Sequence, residues 1–198
     1  MPRSGQSVGT PARLLAAARE EFAAHGMAGA RVSRIAEQAG ANKERIYGYF
    51  GSKEKLFAAV VSEAVTEHAT LLGPPTGDPA EYAGRIYDLH QQNPQLLRLM
   101  MWEALYYDAG DLPDKQSRAA RYRASVETLA KALGTEPDSR AANTLLALIG
   151  VAILPTVFPQ ISQLILGSAP DEDADVRGHI VRLARRMAPV GPAECAER

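Results

Sequence analysis

Apolar residues recur at three- and four-residue steps along most of this chain, the spacing of one face of an α-helix. Leu14, Leu15, Ala18 and Phe22 form the first row, with Arg13, Arg19 and Glu20 on the other side. Thr10 before Pro11 is a start signal and Gly26 a stop, so the spacing predicts a helix over 10–25. Shorter rows predict helices over 32–39, ended by Gly40, and over 42–50, opened by Asn42. Gly51-Ser52 restarts the chain into a helix carrying Leu56, Phe57, Val60, Val61, Ala64 and Leu71, which runs to residue 72. Gly73-Pro74-Pro75-Thr76-Gly77 is the clearest break. Beyond it the pattern predicts helices over 79–91, 93–108, 112–133, 137–166 and 172–187. No run alternates over a strand length, so the expected fold is all-α with about nine helices.

The helix over 137–166 has no polar face, because Leu145, Leu146, Leu148, Ile149, Val151, Ile153 and Leu154 surround it. A helix apolar all round must be covered on every side. Val176, Ile180, Leu183 and Met187 form a seam suited to helix pairing. The expectation is an intermolecular four-helix bundle made by these two helices from each of two chains, with Leu145, Leu148 and Ile149 facing the partner beside that seam. The plainer alternative is that both helices are intrachain core. Pro155 and Pro159 should interrupt the longer one.

Composition narrows the classes. The chain has 198 residues, 46% of them hydrophobic and 23% charged, which excludes wholesale disorder. One cysteine, Cys195, excludes a disulfide scaffold and a cysteine metal centre. No run of eighteen apolar residues occurs, so no membrane-spanning helix and a cytoplasmic protein are expected. Net charge is −1, but residues 1–60 hold nine Lys/Arg against five Asp/Glu, a net of +4, and the remainder holds −5. That asymmetry fits a polyanion contact confined to the first part.

The two short helices and the turn Gly40-Ala41 make a helix-turn-helix candidate over about 31–50. Ile46 and Phe50 would bury the second helix and leave Lys43, Glu44, Arg45, Tyr47, Gly48 and Tyr49 outward. Eight residues span ~12 Å, the width of a DNA major groove. The string from Ile35 to Leu56, IAEQAGANKERIYGYFGSKEKL, resembles the DNA-binding region of TetR-family transcriptional regulators, and the helix before it, ending His25-Gly26, is similar to that family's first helix. The resemblance covers about residues 10–65 and implies a dimeric all-α protein: a DNA-binding domain over 8–68 and an effector-binding and dimerisation domain over 69–190. It places Tyr47 and Tyr49 near the DNA backbone or base edges and Lys53 on a phosphate. Ser52 and Lys53 begin a helix, where free N–H groups favour an anion. Lys43, Glu44 and Arg45 fall where family members read sequence. Arg45 suits guanine or a phosphate; Glu44 suits cytosine or a pairing with Arg45 or Lys43. The family usually opens the helix before the turn with Thr or Ser, where this chain has Arg31 and Val32. Arg31 would then supply the phosphate contact, and Ser33 would shift the cap.

The second part carries no nucleophile elbow, no HExxH and no phosphate loop, so no enzyme, metal or cofactor is expected. Leu99, Trp102, Glu103 and Tyr106 share a helix face that reads either as core or as the wall of an effector pocket, with His90, Tyr122, Asn143 and Phe158 as further lining candidates. The expected function is a dimeric repressor, released from a palindromic double-stranded DNA operator by a small, largely apolar effector. An activator or effector-independent regulator is the alternative. A helical enzyme, or an adaptor using the surface of 79–108, is the remote one.

Overall fold

The computed structural model describes residues 9–167 and 175–188. The outer ends of the two expected domains (8 and 189–190), the expected helix turn at 172–174 and Cys195 lie outside them. Ten helices occur among the described residues: α1 Thr10–Gly29, α2 Val32–Gln38, α3 Lys43–Phe50, α4 Lys53–Leu72, α5 Pro79–Gln92, α6 Pro94–Tyr106, α7 Lys115–Leu133, α8 Ser139–Val157, α9 Pro159–Leu166 and α10 Val176–Met187. The all-α expectation holds.

The chain divides into two compact units, and the division is not sequential. The first joins the N-terminal segment up to His68 with Pro94–Asp114, and the second joins Ala69–Asn93 with the segment from Lys115 onward. Residues 94–114 therefore pack with the segment that carries α2 and α3, where a boundary at 68/69 would have put them in the second domain. The reason is packing: Leu96 and Leu99 of α6 are fully buried in one core with Leu14, Phe22, Ile35, Ile46, Leu56, Phe57, Val60 and Val61. Phe22 meets Phe57 edge-on at 5.0 Å, and Phe57 meets Tyr106 edge-on at 5.5 Å. Within α1, Gly26 takes φ 63° and ψ −175°, so the helix breaks there and resumes to Gly29 instead of stopping.

The second unit packs α5 against α8 and α10, with α7 beside α8. Its core holds Ala83, Ile86, Leu129, Leu145, Leu148, Ala152, Ile180 and Ala184. Gly84 permits the approach of α10, since a Cβ there would lie 2.9 Å from Arg177 Nη2 and 3.0 Å from Val181. Arg177 bridges to Asp88 at 2.8 Å and Arg185 to Asp78 at 2.8 Å. Asp78 also caps α5 by accepting from the Ala80 amide, and Asp138 caps α8 by accepting from Arg140 and Ala141. Pro159 has no amide to continue the ladder, so α8 closes with the Phe158 amide donating to Leu154 and α9 starts afresh. By length and composition alone α8 is apolar enough to cross a bilayer, although Ser139, Arg140, Asn143, Thr144 and Thr156 keep it from being an uninterrupted apolar run.

Candidate nucleic-acid interface

The α2–α3 pair is positioned by α1. No side chain caps α2 at Arg31; Glu21 of α1 instead holds the Arg31 amide just ahead of the helix. Glu21 is buried, and its carboxylate accepts the Arg31 amide at 2.7 Å and the Arg34 Nε at 2.8 and 3.0 Å. Arg34 also donates to the Gly29 carbonyl at 3.1 Å. Burial by itself would raise the Glu21 carboxyl, but the hydrogen bonds from Arg34 and Arg31 and the nearby positive charge outweigh it and hold it below its ordinary value. Ser33 is consequently the second residue of α2 and exposed, not its cap. Arg31 is exposed at the side chain while its amide is held.

Asn42 caps α3 by accepting the Arg45 amide at 3.0 Å. Gly51, at φ 80°, closes the helix with its amide on the Tyr47 carbonyl. Among the α3 side chains only Ile46 is buried. Lys43, Glu44 and Arg45 are exposed, as are Tyr47 and Tyr49 at 48% and 54%. Ser52 accepts the Lys55 amide at 3.2 Å and so caps α4. Its one hydroxyl hydrogen is turned to the Glu54 carboxylate. The Glu54 carboxyl is held low by its own amide and by Ser52. That carboxylate competes with any outside anion for the α4 N-terminus, which leaves the Lys53 side chain as its outward donor.

The proposed effector residues are not brought together. Trp102 lies over the break in α1: a Cβ on Gly26 would come 2.6 Å from its ring, and its indole N–H donates to the Ala23 carbonyl at 3.3 Å. Gly26 is non-helical here, and the indole adds a donor to the Ala23 carbonyl beside the break. Glu103 is buried and Tyr106 packs on Phe57, all within the first unit. These three belong to the unit that carries α2 and α3. In the second unit, His90 is buried and Tyr122 exposed, whereas Asn143 and Phe158 stand on the outer side of α8 and at its end. The neighbouring Tyr82 phenol is pushed up to about 12 by burial and by Tyr122.

The expected dimer row is also displaced. Leu145, Leu148 and Ile180 are buried by their own chain, while Ile149, Val176 and Leu183 are half-buried and Met187 is exposed. The open row on α8 is one step round: Leu146 at 68%, Gly150 and Leu154, continuing through Phe158 into Ile161, Leu164 and Ile165 of α9. Glu21 is absent from the sequence expectations; the signal that marks it is a charge on the same buried helix face as Ala17, Ala18 and Phe22.

Comparison with known proteins agrees with this geometry. Residues 14–60 match the family described as bacterial regulatory proteins, tetR family, and residues 78–186 match the tetracyclin repressor-like C-terminal domain. The HTH-type transcriptional repressor SCO4008 of Streptomyces coelicolor is 35% identical over 181 residues, covering 90% of this chain and 94% of that one. The HTH-type transcriptional repressor NicS of Pseudomonas putida is 31% identical over 111 residues, 52% of each chain. Among solved structures, the Streptomyces coelicolor regulator SCO4942 superposes with a TM-score of 0.74 at 33% identity, covering 92% of this chain and all of that one. A transcriptional regulator from Rhodococcus sp. Rha1, at 22% identity and a TM-score of 0.65, shares the fold. Matched in both its halves and nearly end to end with a curated relative, this chain belongs to the TetR family of bacterial transcriptional regulators and is not an enzyme.

Proposed function

We propose that this regulator is a dimeric repressor whose two α3 helices enter successive major grooves of a palindromic operator, ~34 Å apart. The observation that carries the reading is that α3 buries Ile46 alone and turns Lys43, Glu44, Arg45, Tyr47 and Tyr49 outward. Arg45 contacts guanine, and Lys43 and Glu44 read neighbouring bases. Tyr47, Tyr49, Ser52, Lys53, Arg31 and Ser33 hold phosphates. The repressor sense follows the two curated relatives, both named repressors.

The dimer forms through the open row of α8 and α9, flanked by Leu183 and Met187 of α10. Covering Leu146, Leu154, Phe158, Ile161, Leu164 and Ile165 approaches the roughly 800 Å² per partner of a stable interface. Gly150 lies in the middle of α8, exposed and with no atom within 4 Å of an added Cβ, so a second helix can come close there. An apolar effector entering the second unit beside Tyr82, His90 and Tyr122 releases the operator, by a coupling of ~1–3 kcal/mol.

The test uses a duplex that the full-length protein selects from a random pool. Lys53→Ala should weaken every duplex alike and flatten the salt slope by about one ion. Arg45→Ala should relax preference at particular bases. Unchanged binding by both variants would refute the assignment of α3 and α4.

A further inference from the structure

The fold explains several of the glycines. Gly26, Gly40 and Gly51 hold a positive φ, and Gly84 sits where a side chain would strike α10. Gly48 has neither reason. It lies inside α3, is absent from the positive-φ glycines, is exposed, and an added Cβ would meet no atom within 4 Å. Glycine weakens a helix interior relative to alanine, and α3 has only eight residues to spare for such a loss. At about 100° per residue, Gly48 and Glu44 point directly away from the buried Ile46. The outermost line of α3 therefore passes over bare backbone.

We propose that Gly48 is a specificity-determining position. Its missing side chain lets the α3 backbone reach the floor of the major groove and leaves a recess that takes the 5-methyl group of a thymine. Glu44 and Arg45, one turn back, and Tyr47 and Tyr49, on either side, wall the recess by their helical positions. The recess offers no side-chain donor or acceptor of its own, and the Gly48 amide lies within the helix ladder. It therefore discriminates by shape and apolar contact. The thymine methyl is the apolar group that a base pair presents in the major groove. This inference rests on α3 being the groove helix.

The test is a stability and binding comparison of Gly48→Ala with the wild type, on a duplex that the wild-type protein selects from a random pool. Gly48→Ala should melt at a higher temperature yet bind that duplex at least ten-fold more weakly. In parallel, each thymine of the duplex is replaced in turn by deoxyuridine, which removes only the methyl. One such position per half-site should weaken the wild type about 3- to 5-fold, and the same replacement should leave Gly48→Ala binding unchanged. Wild-type affinity in Gly48→Ala overturns the proposal, and so does a wild type indifferent to every thymine replacement. A wild type that enriches no duplex removes the underlying reading of α3 as well, which marks that failure apart from the first two.

Discussion

Helices α3 and α8 solve opposite problems with the same construction. Each buries one face and carries an open glycine on the other, Gly48 in α3 and Gly150 in α8. The outward neighbours differ: Lys43, Glu44, Arg45, Tyr47 and Tyr49 around the first, and Leu146, Leu154, Phe158 and the α9 residues around the second. A charged and hydroxylated face is stable in water and free to meet a polyanion. A leucine face of that size is an exposed apolar patch awaiting a cover. What a helix is for is thus written on the side its own fold leaves alone.

Placing charge on the α8 face should have the largest effect. Leu146→Glu combined with Leu154→Glu should halve the mass seen by sedimentation and leave the circular dichroism of the monomer intact, since both side chains are exposed. Losing bivalent attachment should then weaken operator binding by on the order of 10²- to 10⁴-fold. Next comes the support beneath α3. Trp102→Ala should cost about 3 kcal/mol in thermal or urea unfolding, through lost ring packing over Gly26 and the lost indole donor to the Ala23 carbonyl. Trp102→Phe should recover part of that.

Glu21→Gln should cost about 2 kcal/mol, because hydrogen bonds to a charged carboxylate are replaced by weaker ones at the start of α2. The effect has a pH signature. The folded-state carboxyl sits below its ordinary 4.5, so its contribution is complete above that value and fades as pH falls through the lower folded one. Wild type and Glu21→Gln should therefore converge in stability in acid. The smallest effect is expected at the glycine of the second face. Gly150→Ala should raise the helicity of α8 slightly while loosening the dimer a few-fold in sedimentation equilibrium, the counterpart of Gly48→Ala on DNA.

Helix existence was legible in the sequence because burial imposes a 3.6-residue period, and the motif around Lys43–Lys53 was legible because its turn, caps and outward side chains are local. The direction of α8 was not. A helix apolar on all sides carries no phase, and Leu145 and Leu146 differ only by one step of about 100°, which the packing of α5 and α10 decides. The allegiance of α6 was equally hidden. Leu96 and Leu99 announce a buried face, but not that Phe22 and Phe57 lie against it. Trp102 read as either core or pocket wall because an aromatic at helical spacing is identical, in sequence, to one that packs over a break in another helix. The start of α2 at Val32 was legible, but not its anchor: the Arg31 amide before it is held by Glu21, ten residues upstream and on another helix.

The tryptophan has a practical corollary. It is the sole indole of the chain, and it belongs to the unit that carries α3. Excited at the red edge of indole absorption, where the tyrosines are spared, the protein emits from one place only. Any shift of that emission on adding a candidate inducer reports, label-free, that the disturbance has arrived at the joint between α1 and α6.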